Sequence, residues 1–109
     1  MNIGVGEQFT PAHTARNPMQ KVPVIVDHDP EDGGEPVTVF ESGAILVYLS
    51  DKRAEAGREA FMPAGRAARY ETLQWLMWQM GGVGPMFGQL GFFHKFAGKD
   101  WEDKRPRER

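Results

Sequence analysis

An α/β unit followed by an all-helical segment is the fold class this sequence predicts, and three observations carry it. Residues Val22 to Val26 form a continuous apolar run rich in β-branched side chains, the composition of a strand buried on both faces. A second such run, Val37-Thr38-Val39-Phe40, leads through Glu41-Ser42 directly into a helix expected from Gly43 to about Asp51. Helical spacing returns at Tyr70, Leu73, Leu76, Met77 and Met80, which share one wide apolar stripe with Trp75 and Trp78 beside it. The expected division is therefore 1–57 for the α/β part and 58–109 for a linker and the first helix or helices of the all-α part.

Taken in order, Met1 to Ile3 reads as the tail of a strand, and Gly4 to Phe9 as a loop leading to a short polar helical turn. The stretch from Asp29 to Pro36 is dense in turn formers and joins the two strands into a hairpin. After Ser42, the recurrence of Ile45, Leu46 and Leu49 predicts a helix that packs one face on the sheet, its pattern ending near Gly57. The second long helix begins near Pro63 to Arg66. Beyond it, Gly81 to Gly88 is either a broken helix or a helix whose small residues admit another backbone closely. From Lys95 to Arg109 there are six Lys or Arg and four Asp or Glu, mixed signs that argue for a solvated surface. Arg105 to Arg109, with Pro106 at a start position, reads as the first turn of a further helix.

Composition excludes several function classes. With 40% apolar and 26% charged residues, the 109-residue chain has the balance of a soluble globular domain. No apolar run is long enough to span a membrane, and the N-terminus has neither a basic start nor an apolar leader, so a cytoplasmic location is expected. A formal net charge of −2 offers no electrostatic reason for nucleic acid. The absence of cysteine removes disulfides and thiolate nucleophiles, so any thiol chemistry requires a thiol from elsewhere.

Three tempting motifs fail. A calcium loop opening at Asp27 would put Asp32 where glycine is needed and Thr38 where the bidentate Glu belongs, so no metal is expected. The glycines at 81, 82, 84, 88 and 91 do not spell a dinucleotide fingerprint and follow a helix rather than a strand. His13, His28 and His94 have no Ser or Cys partner at recognisable spacing and receive no chemical role.

The candidate site is Glu41-Ser42. A hydroxyl and the N–H groups of a helix start lie at the positive end of a helix dipole, a cradle for a carboxylate, while the Glu41 carboxylate supplies a counter-charge for an ammonium. One segment could thus grip both charged groups of an amino acid, including the γ-glutamyl end of glutathione. The plainer reading of Ser42 is a helix N-cap, and that of Pro23 a proline at the first position of a strand. Pro23 could instead follow a cis bond that turns the Val22 backbone outward. Gln8 and Lys21 are, by default, solvated loop residues.

Asn17 to His28, followed by Phe40 to Leu49, resembles in order and spacing the second half of a glutathione transferase N-terminal domain, which is thioredoxin-like. Leu73 to Gln89 resembles the first helix of the all-α domain in the nu-class transferases, the bacterial glutathione-dependent disulfide-bond reductases. The resemblance runs from Gly4 to about Gln89. It implies that Pro23 is the cis-proline, that the Val22 backbone pairs with the cysteinyl part of glutathione, and that Glu41 and Ser42 hold the γ-glutamyl end. It also places Gln8 and Lys21 near the tripeptide, Lys21 being suited to the glycyl carboxylate, and lets Arg109 correspond to an arginine beside the thiol. Met19-Gln20 departs from the family, which often has Asn-Gly or Asn-Asn there.

The resemblance further implies that the thiol-activating strand and helix lie upstream of Met1, so that no catalytic residue is assigned, and that the acceptor pocket lies largely outside the chain. Two functions follow. One is a glutathione-dependent transferase or disulfide or hydroperoxide reductase, homodimeric in full length, acting on a small disulfide or electrophile. The other is a non-catalytic glutathione-binding or interaction fragment, since the chain by itself is expected to be inactive.

Overall fold

The computed structural model describes residues 1–55 and 61–96, and the chain divides into two compact units, Met1–Ala64 and Gly65–Arg109. The expected end near Gly57, the charged stretch beyond Phe96, and Arg109 lie outside the described residues.

The first unit opens with two 3-10 turns, Ile3–Val5 and Glu7–Phe9. No strand tail forms at Met1 to Ile3, because polar side chains capture the local backbone. Asn2 Oδ1 accepts the Gly4 N–H at 3.0 Å, and Glu7 Oε2 accepts the Asn2 N–H. Such local side-chain bonds offer the chain an alternative to a ladder. Helix α1, Pro11–Arg16, follows with Thr10 as its cap, the Thr10 hydroxyl taking the His13 N–H, and with proline in its first turn.

Strands β1, Val24–Asp27, and β2, Val37–Phe40, pair antiparallel in the register Val24↔Phe40 to Asp27↔Val37. The expected hairpin is present, but β1 begins two residues later than Val22. Pro23 has no N–H to give a ladder, and the chain straightens into the sheet only after it. The connection is fastened by its own polar groups: Asp27 Oδ1 accepts from the Asp29 N–H at 3.1 Å, the Pro30 carbonyl from Gly33 at 2.9 Å, and Asp32 Oδ1 from Gly34 at 3.0 Å. Gly33 has a φ of 65°, a conformation glycine adopts without steric cost.

Helix α2 spans Ser42–Glu55. Its inward face differs from the expected one. Ile45 is buried, whereas Leu46 is 59% and Leu49 45% exposed. Tyr48 and Lys52, three and seven residues after Ile45, lie on the same side and reach Asp27 at the end of β1. Leu46 sits about 100° round the helix from Ile45, so the two cannot share a narrow stripe. Further along α2, the buried Ser50 hydroxyl accepts the Met62 N–H at 2.8 Å and holds the chain that leaves the helix. Arg53 lies over the Phe61 ring, 5.6 Å from its centre.

In the second unit, α3, Arg66–Trp78, continues through a π-helical turn, Gln79–Val83, into α4, Gly84–Gly91, and a second π-helical turn, Phe92–Phe96. The glycine-rich segment therefore remains helical, widened across Gln79–Val83 and α-helical again from Gly84, rather than broken. Leu73, Leu76 and Met80 are half-buried, while Tyr70, Met77, Trp75 and Trp78 are mostly exposed within the described residues. Trp75 and Trp78 meet edge to face, centres 5.6 Å apart. Among the described residues, no helix is long and apolar enough to cross a membrane.

Candidate functional site

The hairpin register determines what meets at its open end. Pairing stops at Val24↔Phe40, so Val22-Pro23 on one side and Glu41-Ser42 on the other leave the sheet together. The two segments singled out from the sequence are thereby brought to one end of the same ladder.

At the first, Glu41 occupies the cap position of α2: its carbonyl accepts the Ile45 N–H at 2.9 Å. Ser42 is accordingly the first helical residue and not the N-cap expected by the plainer reading. Glu41 has a φ of 71°, a left-handed conformation that costs a residue with a Cβ roughly 1–2 kcal/mol. This reversal turns β2 sharply into the helix, leaving the Glu41 side chain exposed and Ser42 half-buried at the positive end of the helix dipole. The N–H groups of a first helical turn have no carbonyl within the helix to reach.

At the second segment, the Val22–Pro23 peptide is cis, and Lys21, Val22 and Pro23 are all exposed. What holds them is a polar cluster that sequence reasoning missed. His13 and Asn17 are only 2% and 1% exposed. Asn17 Nδ2 donates to the Lys21 carbonyl at 2.9 Å, and His13 Nε2 lies 3.0 Å from the same oxygen. Asn17 Oδ1 accepts the Met19 N–H at 3.0 Å, its backbone carbonyl accepts the Gln20 N–H at 3.0 Å, and Gln20 Nε2 donates to Thr14 Oγ1 at 3.3 Å. Gln20 also takes a left-handed φ of 57°. The sole local signal for this turn is Asn17-Pro18, a pair that favours turn initiation. Nothing in the spacing of His13 announced its burial.

Gln8, in the turn Glu7–Phe9, is half-buried, and its Oε1 is shielded without a hydrogen-bond partner among the described residues. Buried acceptors are usually satisfied, and this one has no partner among the described residues.

A third cluster fixes α2 from the opposite end of the hairpin. Asp27 Oδ2 accepts from the Tyr48 hydroxyl at 2.7 Å and from the Lys52 ammonium at 2.5 Å, and Lys52 also reaches the Asp29 carbonyl. The Lys52 ammonium, with help from the Tyr48 hydroxyl and the Asp29 N–H, holds the Asp27 carboxyl at about 2. Lys52 is in turn raised, chiefly by its bond to Asp27. Since Ser42 lies ten residues before Lys52 on the same helix, roughly 15 Å along its axis, this anchor fixes the direction in which the N-terminus of α2 points. No group of acidic, His or Cys residues suited to a metal ion occurs among the described residues.

Comparison with known proteins places this geometry. The glutathione S-transferase N-terminal domain model matches residues 1–51. The disulfide-bond oxidoreductase YfcG of Escherichia coli is 47% identical over 97 residues, covering 89% of this chain and 43% of that protein. A glutathione transferase from Burkholderia graminis, crystallised with two glutathione molecules per subunit, superposes with a TM-score of 0.86 at 53% identity, covering 98% of this chain and 42% of that one. One from Pseudomonas putida, with a glutathione disulfide per subunit, gives 0.86 at 48% identity, covering 98% and 44%. The chain thus spans less than half the length of these relatives. The cis Val22–Pro23 turn, the hairpin and the helix after it form a thioredoxin-like unit similar to the glutathione S-transferase N-terminal domain, whose model ends within that helix.

Proposed function

We propose that this chain carries the glutathione grip of a nu-class type enzyme that uses glutathione to reduce disulfides or hydroperoxides or to conjugate an electrophile. The observation that carries this reading is the shared ladder end, where an exposed carboxylate, a helix N-terminus and an exposed backbone turn converge. Glu41 takes the α-ammonium of the γ-glutamyl group, and Ser42 with the first turn of α2 takes its α-carboxylate. The Val22 backbone pairs with the cysteinyl residue beside Pro23, Lys21 neutralises the glycyl carboxylate, and Gln8 lies near the tripeptide. The name of the Escherichia coli relative and the ligands in the Burkholderia and Pseudomonas structures support the same ligand and reaction.

Because the chain has no cysteine, the reacting sulfur comes from glutathione. In disulfide reduction, a glutathione thiolate attacks one sulfur of the acceptor, forming a mixed disulfide and releasing one thiol. A second glutathione thiolate then attacks the glutathione sulfur of that mixed disulfide, giving glutathione disulfide and the second thiol. A free thiol near 8.5 is only a few per cent ionised at neutral pH, so turnover depends on hydrogen-bond donors to the sulfur. Ground-state grip alone does not supply that acceleration. The resemblance also supports a homodimer and a cytoplasmic location for the whole protein.

Calorimetric titration with glutathione tests the grip. Replacing Ser42 by Ala should weaken binding by about 1–3 kcal/mol, the worth of a hydrogen bond to a charged group. Equal affinity of the two proteins, both folded, would remove Ser42 from the site.

A further inference from the structure

We propose that His13 and Asn17 are positioning residues for glutathione, aiming the Val22 N–H by clamping the carbonyl on the far side of the same peptide plane. The inference rests on the reading of the Lys21–Pro23 turn as a glutathione contact. A peptide unit is rigid and planar, and in the trans form its C=O and N–H point in opposite directions. Among the described residues the one cis bond is Val22–Pro23, so the Lys21–Val22 peptide is trans. Whatever fixes the Lys21 oxygen therefore fixes the Val22 N–H, pointed the other way.

That oxygen is held from the interior by both polar side chains. A carbonyl has two lone pairs, and here one accepts from Asn17 Nδ2 at 2.9 Å and the other from His13 Nε2 at 3.0 Å. Since a carbonyl only accepts, Nε2 of His13 carries a proton. Both donors belong to residues almost wholly withdrawn from water, while Lys21 and Val22 are exposed. The buried pair thus lies on the oxygen side of the Lys21–Val22 peptide, and the Val22 N–H points away from it. Two donors on one carbonyl also polarise the amide and strengthen its N–H as a donor. The remaining Asn17 bonds, to Met19 and Gln20, set the turn that delivers Lys21 to the clamp.

The clamp acts on the cysteinyl contact and not on the γ-glutamyl contact, which is built from Glu41 and α2. This asymmetry separates positioning from general support of the fold. The full chain would be prepared with His13→Leu, which removes the donor, with His13→Gln, whose amide nitrogen stands near the Nε2 position, and with Asn17→Asp, which keeps the acceptor for Met19. Each would be titrated calorimetrically with glutathione and with γ-glutamylmethylamide, which has no cysteinyl residue.

His13→Leu and Asn17→Asp should weaken glutathione about fivefold to twentyfold, the effect of a misaimed hydrogen bond. The same variants should stay within about twofold of the parent for γ-glutamylmethylamide, and His13→Gln should restore glutathione affinity to a similar margin. Equal losses for both ligands, no loss at all, or no rescue by a folded His13→Gln would overturn the inference while leaving glutathione binding by the parent intact. Failure of the parent to bind glutathione removes the functional reading and this inference together. Imidazole nitrogen shifts of the parent give an arm that needs no variant: they should show a proton on Nε2, and a neutral ring protonated only at Nδ1 would overturn the clamp.

Discussion

At Glu41-Ser42 the backbone itself shapes the candidate site, whereas at Lys21-Val22-Pro23 side chains from another part of the chain do so. The first follows from strand running into helix: a left-handed Glu41, its carbonyl closing the first bond of α2, and a helix dipole behind Ser42. The second is an exposed turn whose position depends on His13 and Asn17, one in α1 and the other at its C-terminal end. One half of the proposed grip is therefore shaped by local backbone, with α2 aimed by its anchor on Asp27. The other should be disturbed by changes at residues that never meet the ligand.

The largest effect expected from this contrast is at Asn17. Replacing it by Leu removes from a buried side chain both the donor to Lys21 and the acceptor for Met19, leaving the Lys21 carbonyl with one donor fewer and the Met19 N–H without its bond. The loss should be about 2–4 kcal/mol in urea unfolding. A loss below about 0.5 kcal/mol would mean that the turn holds its shape without the amide and would erase the distinction between the two halves.

A smaller change with two opposing consequences is expected at Glu41. Glycine adopts a φ of 71° without steric cost but loses more entropy on folding, so Glu41→Gly should leave the fold more stable by roughly 0.5–1 kcal/mol. The same change removes the proposed ammonium partner and should weaken glutathione. Strain kept at a ligand-binding residue would produce this opposition. A variant that is both less stable and equally good at binding would refute the assignment of Glu41.

The mildest expected effect is on acid stability. The folded-state value of Asp27 lies near 2, below its ordinary 3.8, so its contribution is fully present above about 4 and is lost as pH falls through 2. The thermal midpoint should drop over that window, and Asp27→Asn should flatten that part of the drop. Lys52 acts with the opposite sign: its raised value contributes below its unfolded pKa, and the contribution fades as pH rises through the folded one. An unchanged acid profile in Asp27→Asn would separate α2 from this anchor.

How much was legible beforehand depended on whether a residue's role is written in its neighbours. The hairpin could be read because turn formers separate two β-rich runs, and the β2 bounds Val37–Phe40 needed no revision. The strand-to-helix junction could be read for the same reason. Which residue caps α2 could not, because a left-handed φ at Glu41 leaves no mark in residue type. The inward face of α2 was misjudged because hydrophobicity favoured Leu46 and Leu49, while the helix is fastened through Tyr48 and Lys52 to a carboxylate more than twenty positions earlier. His13 and Asn17 were missed on the same ground: a buried polar residue is explained by partners that only the folded chain brings near.

Backbone amide spectra of the ¹⁵N-labelled chain, recorded while glutathione is added, bear on both halves of the site at once. If the ladder end holds the tripeptide, the amides of Val22 and of Ser42 to Ala44 should shift saturably with a common midpoint, while those from Trp75 to Phe87 change little. Shifts confined to the Trp75 to Phe87 helices, or no saturable shift at Val22 and Ser42, would contradict a glutathione grip at Lys21–Pro23 and Glu41–Ser42.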